Sequence, residues 1–459
     1  MANFKMSLRN PSYLQSSVTL LLFFGSWGIW WSFFQLWLTR EDGLNLSGSE
    51  VGTVYAVNSL STLIIMFFFG TLQDRLGIRR HLSITVGVVA ACVAPFMIWV
   101  YEPLLQSQFI LGVILGSVVL SAGFMSGVGL LEALAERMSR RYDFEYGQAR
   151  MWGSFGYALV ALTAGFLFTI DPHLNFWAGS LLGTALLLIQ IFWRPRNAVA
   201  TAAGAAESEA AQPGLREMAG LLKKRSLWAI IVFVLFSWTF YTVYDQQMFP
   251  DFYTSLFDSR AQGERVYGVL NSIQVFAEAA MMGLIPVLMR KVGIRTALLL
   301  GTAVMAFRIL GSAVFDDPVV ISAIKMLHAV EVPLFILPIF RYFTLHFNPV
   351  LSATLYMVGF QISAQVGNVV LSQPLGALRD EVGYQPTFVV ISMIVLGAGL
   401  YAFFALKRDD EHVLGDPFHR DGRAAARSAA TVAEVPDHER LPVPNTSTSQ
   451  AKEYPDDGR

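Results

Sequence analysis

The chain has 459 residues, of which 54% are hydrophobic and only 15% are charged. A water-soluble domain of this size does not need so apolar a composition, so most of the chain is expected to lie in a lipid bilayer. The formal net charge of -1 gives no basic excess for nucleic acid, and the single cysteine, Cys92, excludes a disulfide framework or a thiolate metal site.

Long runs without charged residues predict the membrane spans, because about 20 apolar residues cross a bilayer as a helix. The first run lies between Arg9 and Arg40 and has no small-residue cleavage pattern, so we expect a retained span rather than a secretory signal. Five more runs follow before Arg194, and another six end before Lys407. The sequence therefore predicts an all-α membrane protein with twelve transmembrane helices.

Composition divides the chain into four predicted parts. Residues 1–195 and 221–407 are each expected to form a six-helix bundle, joined by an Ala/Gly/Glu-rich cytoplasmic linker at residues 196–220. Residues 408–459 are polar, contain proline and have few aromatics, which predicts a disordered cytoplasmic tail. Basic residues cluster in alternate loops, which places both termini in the cytoplasm. These clusters are Arg75, Arg79 and Arg80; Arg137, Arg140 and Arg141; Lys223, Lys224 and Arg225; Arg290, Lys291 and Arg295.

The two predicted halves contain a repeated loop. The segment GTLQDRLGIRRHL from Gly70 aligns with PVLMRKVGIRTAL from Pro286, each between the second and third spans of its half. Duplicated halves are typical of transporters. The alternative is that the loop arginines only anchor the chain by the positive-inside rule. The full pattern G-x-x-x-D-R-x-G-x-R-R resembles the loop signature of the major facilitator superfamily. This resemblance implies two pseudo-symmetric six-helix bundles around a polar cavity.

Charged residues inside the spans are the strongest functional signal, because a charge at the bilayer centre costs about 2.5 kcal/mol or more. The interior set is Glu132, Arg150, Asp245, Glu278, Arg308, Lys325 and Glu331. Its acids outnumber its obligate cations by one, and His328 is the interior residue that could balance the excess. A carboxylate that can be protonated without leaving a cation unpaired is what proton coupling requires.

Lys325, His328 and Glu331 are spaced to share one face of the tenth span. Static ion pairs between helices would give the same pattern. We expect that structural role for the pair of Lys325 and Asp245. For Glu331 we expect proton transport, because Pro333, two residues later, can loosen the helix next to this carboxylate.

Glu132 and Arg150 flank the loop between the fourth and fifth spans. Together they offer acceptors and forked donors, which suit vicinal hydroxyls. Ser154 lies one turn from Arg150, and Tyr157 lies two turns away, where its ring could stack on a sugar. The alternatives are a structural ion pair and a tyrosine that only packs. Glu132, Arg150, Glu278, His328 and Glu331 are all expected to face the cavity.

Three segments carry a closer resemblance: EALAERMSRRYDFEYGQARMWGSFGYAL, YDQQMF at Tyr244 and KMLHAVEVP at Lys325. They are similar to the oligosaccharide:proton symporters of the major facilitator superfamily, the lactose and sucrose permease group, and the likeness extends from about Leu14 to Leu406. It implies that Glu132, Arg150 and Tyr157 bind sugar. The residues that it implies in proton coupling are Arg308, His328, Glu331 and Tyr241.

Two departures from the pattern of lactose permeases narrow the predicted substrate. Thr242 and Ala364 stand where lactose permeases have a charged pair, and Val275 stands where they have a glutamate. Glu278, one turn after Gln274, instead resembles the arrangement of sucrose permeases, as do the tryptophans of the first span. These tryptophans, Trp27, Trp30 and Trp31, could also face lipid. The substrate site is therefore predicted to include Gln274, Glu278 and His328 opposite Arg150.

The predicted function is proton-coupled uptake of a disaccharide, sucrose, by alternating access in a bacterial inner membrane. Another oligosaccharide of the lactose, melibiose, raffinose or maltose type is the main alternative, and a facilitator or sugar sensor is a second. An enzyme is not expected, because the spans contain no Ser/His/Asp set, metal-ligand cluster or phosphate loop. The expected partners are sugar, protons and lipid, with no metal or other cofactor and a monomer as the transport unit.

Overall fold

The computed structural model describes residues 10–76, 81–142, 144, 146–193, 225–347 and 355–409, and within these ranges the regular structure is helical, with no strands. We label the helices α1 (Pro11–Thr39), α2 (Gly48–Leu76), α3 (Ser83–Ala91 and Val93–Ser107), α4 (Phe109–Ser139), α5 (Tyr146–Ile170), α6 (His173–Phe192), α7 (Ser226–Ser255), α8 (Arg260–Val292), α9 (Ile294–Val314), α10 (Pro318–His346), α11 (Ser363–Val382) and α12 (Tyr384–Ala405).

Most of these helices have the length and composition of membrane spans. Within the described ranges, nine pass that test, or ten if the two parts of α3, bent by 57°, form one span. The remaining two, α2 with 29 residues and α11 with 20, have lengths of about 43 and 30 Å, enough to cross a bilayer. The all-α membrane class is confirmed, and the helices follow the predicted order of spans.

The outer surface of the described helices is apolar. Large hydrophobic side chains such as Leu181, Val319 and Phe404 are more than 70% exposed. A soluble protein would bury such side chains, whereas lipid solvates them. Several charged side chains of the described helices are instead buried, among them Arg308, Lys325 and Glu331.

The two halves of the chain pack against each other through two helix pairs. Helix α2 contacts α11, and α5 contacts α8. Helices α2 and α8 occupy equivalent positions in the two halves, and so do α5 and α11. The two contacting pairs are therefore related to each other by the exchange of halves, as a pseudo-two-fold axis requires. The backbones approach closely where α5 meets α8, since a Cβ atom on Gly268 would lie 3.0 Å from Cα of Gly165. Glycine is needed there because any side chain would separate the helices.

Polar contacts join the halves near the end of α1. The backbone N–H groups of Gly48 and Ser49 donate to the two carboxylate oxygens of Asp380, over 2.7 and 2.8 Å. Thr39 donates to Oδ1 of Asp251 over 3.1 Å, and within the second half the hydroxyl of Tyr384 donates to Oδ2 of the same residue. These contacts close one end of the space between the halves.

Three helices lose regular α geometry where they border this space. Helix α1 is interrupted at Ser32 and Phe33, and α10 is interrupted at Leu327, directly before His328. Helix α7 contains a π-helical turn at Tyr244–Met248, which includes Asp245. Such turns are rare in helices and are frequent at functional sites.

Several predicted features lie outside the described residues. They are the linker at residues 196–220, the tail beyond residue 409, residues 77–80 of the repeated loop and the side chains of residues 69–76. The domain boundaries predicted from composition stay predictions.

Candidate functional site

A polar cavity of about 290 Å³ lies between the two halves. Its volume is close to the lower limit, ~300 Å³, of typical small-molecule sites. The first half contributes Phe24, Trp27, Trp31, Ser32, Gln35, Tyr55, Arg150, Ser154 and Tyr157. The second half contributes Asp245, Gln246, Pro250, Tyr267, Asn271, Gln274, Val275, Glu278 and His328. A solute bound here would contact both halves of one chain.

Arg150 is the main cationic group of the first wall. Its Nε donates to Oε1 of Glu132 over 2.5 Å, and Nη1 donates to the hydroxyl of Ser154 over 3.2 Å. The guanidinium also lies 4.2 Å from the centroid of the Phe24 ring, a cation–π distance. Glu132 does not itself line the cavity. It holds the guanidinium, which does line the cavity, in one orientation.

Aromatic rings form the apolar part of the same wall. Tyr157 packs against the backbone of Gly28, where an added Cβ atom would lie 2.5 Å from the ring, and Oγ of Ser32 lies 3.1 Å from its hydroxyl. Trp27 and Trp31 line the cavity with their ring centroids 5.8 Å apart. Trp30 is instead buried within the first half. The lipid-facing alternative for these tryptophans is therefore wrong.

The second wall places amide and carboxyl groups opposite Arg150. Asn271, Gln274 and Glu278 line the cavity from one face of α8. Oε2 of Glu278 lies 4.0 Å from Nε2 of His328. The carbonyl oxygen of Gln274 accepts a hydrogen bond from Lys325.

A buried charge cluster lies behind the second wall. Arg308 is fully buried, and its Nη1 donates to Oε1 of Glu331 over 2.6 Å while its Nη2 donates to Oδ1 of Asp245 over 2.5 Å. The hydroxyl of Tyr241 lies 2.5 Å from Nδ1 of His328 and 3.1 Å from Arg308. His328 and Asp245 face the cavity, whereas Arg308 and Glu331 do not. The cluster thus has one side on the cavity and one side in the protein interior.

The structure corrects two expectations. The first is the ion pair of Lys325 and Asp245, which does not form. Asp245 instead pairs with Arg308 and lies 3.4 Å from His328. Lys325 donates to Gln274 and lies 5.1 Å from the centroid of the Tyr267 ring. The second expectation is that all five predicted residues face the cavity. Arg150, Glu278 and His328 do so, but Glu132 and Glu331 lie one side chain behind, each bound by an arginine.

The residues at the two ends of the cavity differ in solvent exposure. The side chains of Arg150 and Glu132 are each 29% exposed, whereas Gln35 is 2% exposed. Gln35 lies near the end where Thr39 and Gly48 contact the second half. The cavity is therefore closed at that end and reached by solvent from the end near Arg150.

Comparison with known proteins places the chain in a family. A family model described as the LacY proton/sugar symporter matches residues 5–417. The chain belongs to the LacY proton/sugar symporter family. It is 42% identical to a sucrose permease of Escherichia coli over 408 residues, 88% of this chain and 96% of that protein. It is 34% identical to an E. coli raffinose permease over 401 residues, 87% of this chain and 93% of that protein. This member of the LacY family is a multi-pass inner-membrane transporter rather than an enzyme.

A solved structure supports the same fold for this LacY-family chain. The crystal structure of the nucleoside transporter NupG superposes with a TM-score of 0.71 at 15% identity, covering 86% of this chain and 99% of that one. At this identity the likeness concerns the fold alone.

Several residues that line the cavity of this LacY-family protein carry no charge and are not predicted from the sequence. They include Phe24, Gln35, Tyr55, Tyr267 and Asn271. A helical pattern within the first span would have found part of this set, because positions 24, 27, 31 and 35 recur every three or four residues on one face. Asn271 similarly precedes Gln274 by one turn on α8.

Proposed function

We propose that this protein imports a disaccharide, sucrose, together with a proton. The observation that supports this most directly is the position of His328. One of its ring nitrogens faces Glu278 in the cavity, and the other contacts the buried cluster of Tyr241, Arg308 and Glu331. A solute in the cavity and a proton on the buried carboxylate would therefore act on the same imidazole ring.

The proposed sugar site uses both walls of the cavity. Arg150, oriented by Glu132 and Ser154, donates forked hydrogen bonds to neighbouring hydroxyls. Glu278, the amide nitrogen of Gln274 and His328 bind the sugar from the opposite side. Tyr157 provides an apolar ring face. Because one chain provides both walls, the proposed transport unit is a monomer.

The proposed coupling step is protonation of Glu331. One of its oxygens, Oε1, accepts a hydrogen bond from Arg308, whereas the buried Oε2 has no hydrogen-bond partner among the described residues. A proton on Oε2 would leave Arg308 bound to Asp245, so no buried cation would lose its only partner. Return of the empty carrier would then require loss of this proton. No cofactor is needed beyond the coupling proton.

The direction of access follows from the closed end of the cavity. Loop charges predict that the closed end faces the periplasm and the solvent-reached end faces the cytoplasm. The conformation would then be the inward-facing one. Alternating access requires the contacts of Asp380 with Gly48 and Ser49 to break when the periplasmic side opens.

Sucrose is proposed rather than another oligosaccharide because the identity to a sucrose permease, 42%, exceeds that to raffinose and melibiose permeases, 34% and 33%. The positions of Gln274 and Glu278 favour the same substrate. The other oligosaccharides remain the alternative.

Proteoliposomes that contain the purified protein would test the proposal. An inward proton gradient should drive accumulation of labelled sucrose above the external concentration, and a protonophore should abolish it. Unlabelled raffinose, melibiose, lactose and maltose would compete in parallel. Sucrose entry that stops when the internal and external concentrations are equal, whatever the pH gradient, would indicate a facilitator. Stronger competition by another sugar would identify that sugar as the substrate instead of sucrose.

A further inference from the structure

Gln35 is a buried amide in the cavity wall, and no residue that the structure describes forms a hydrogen bond with its side chain. Its side chain is 2% exposed and lines the cavity. Neither its Nε2 nor its Oε1 has a hydrogen-bond partner among the described residues. Burying an amide without partners is unfavourable, so a side chain of this kind calls for an explanation in terms of a ligand.

Gln35 lies at the opposite end of the cavity from Arg150. The guanidinium of Arg150 lies over Phe24, at the start of the cavity-facing stripe of α1, and Gln35 ends that stripe. From Phe24 to Trp31, before the interruption of α1 at Ser32 and Phe33, a helix rises about 10 Å at 1.5 Å per residue, and Gln35 lies four residues further along the chain. Tyr157, which packs on Gly28, lies between these two levels. A ligand that contacts Arg150 with one sugar unit would therefore reach Gln35 only with another unit.

The surroundings of Gln35 suit a sugar ring. Tyr55 lies beside Trp31, one turn before Gln35, with ring centroids 5.9 Å apart, and Tyr267 lines the same cavity from the second half. Both tyrosines line the cavity and are almost completely buried. Aromatic faces of this kind bind the C–H face of a sugar, while an amide binds hydroxyl groups at its edge.

We propose that Gln35 is a specificity-determining residue of a second subsite, which binds the sugar unit farther from Arg150. Its amide oxygen accepts from one hydroxyl and its amide nitrogen donates to another, so both unpartnered groups are satisfied only when the second unit is present. The subsite thereby favours a disaccharide over a monosaccharide. This inference rests on the proposed sugar transport.

The test replaces Gln35 by methionine, which has nearly the same length and no amide. Binding of sucrose, glucose and fructose is measured by quenching of the fluorescence of the cavity tryptophans and by counterflow. With two hydrogen bonds lost, Gln35→Met should weaken sucrose binding about tenfold or more. Binding of the monosaccharide that occupies the Arg150 end should stay within about twofold. The matched control is Gln385→Met on α12, which is remote from the cavity and should leave all sugars unaffected.

Thermal unfolding distinguishes a ligand-binding role from a structural one. An amide without partners does not stabilise the empty protein, so the melting temperature of Gln35→Met should be unchanged or higher. A lower melting temperature, or equal losses for sucrose and both monosaccharides, would contradict the subsite. Unchanged sucrose binding in Gln35→Met would overturn the subsite alone. A wild-type protein that binds no sugar, including the other oligosaccharides, would overturn the proposed function and the subsite together.

Discussion

Nδ1 of His328 lies 3.4 Å from Oε1 of Glu331, one helical turn further along α10. Its other ring nitrogen, Nε2, lies 4.0 Å from Glu278 in the cavity. The imidazole thus separates a carboxylate that a ligand can contact from one that is completely buried. In a neutral imidazole one ring nitrogen donates and the other accepts. A change in the hydrogen bonding of His328 on one side of the ring would therefore alter the role of the nitrogen on the other side.

Replacing Arg150 by lysine tests the cationic wall. Lysine keeps the charge but loses the forked donors and the planar group that stacks on Phe24. Sugar affinity should fall at least about tenfold, since charge-assisted hydrogen bonds contribute about 1.5 to 3 kcal/mol each. Equilibrium binding of labelled sucrose measures the change. Arg265→Lys, the same replacement at an exposed position of α8, is the control, and equal affinity in both variants would remove Arg150 from the site.

Glu278→Gln tests the opposite wall. The amide can still form hydrogen bonds, but it loses the charge that makes them strong and the interaction with His328. Sucrose affinity should fall about tenfold, and counterflow should fall with it. Glu381→Gln, at the exposed end of α11, should bind sugar like the wild type. Normal affinity combined with lost accumulation in Glu278→Gln would assign Glu278 to coupling instead of recognition.

The sequence alone predicts much of the fold but less of the site, for reasons that particular residues illustrate. The spans are predictable because lipid excludes charges, and Arg150, Glu278 and His328 stand out for the same reason. Gln35 is not found, because a single neutral amide hardly changes the hydropathy of a span. Helical periodicity predicts the face of a helix on which a residue lies, but it does not predict whether the side chain reaches the cavity or stays behind another side chain.

The pairing of Lys325 shows a further limit. Regular helical spacing places Lys325 with His328 and Glu331, which suggests a partner in the same cluster. The interruption of α10 at Leu327 lies between Lys325 and His328, and the π-helical turn of α7 contains Asp245. Both irregularities alter the direction of side chains, and neither follows from a regular helical repeat. Lys325 therefore contacts Gln274 rather than the predicted Asp245.

Replacing Asp380 by alanine tests the closed end of the cavity. Its carboxylate accepts from the N–H groups of Gly48 and Ser49 at the start of α2, where the helix dipole also favours a negative charge. Loss of these bonds should shift the protein toward the conformation open at this end, by about tenfold in population.

A cysteine at Gln246, introduced in a Cys92→Ala background, would report this opening, because Gln246 lines the cavity and is exposed. An impermeant maleimide added from the periplasmic side should label it about tenfold faster in Asp380→Ala than in the parent. Asp316→Ala, in the loop before α10, is the control. Equal labelling rates in all three proteins would show that Asp380 does not hold this end closed.

Glu331→Gln tests the proposed coupling most directly, because the amide imitates the protonated carboxyl permanently. Sugar should still bind and exchange across the membrane, since Glu331 does not line the cavity. Accumulation against a gradient should be lost, because no proton can leave. Arg308 retains Asp245 as its partner, so the variant should fold, and its melting temperature and its sucrose affinity would verify this. Accumulation of sucrose by Glu331→Gln, with alkalinisation of the medium, would exclude Glu331 as the proton carrier. Asp245→Asn and Glu278→Gln would then be compared in the same assay, because Asp245 and Glu278 are the carboxylates that lie closest to His328 on the cavity side.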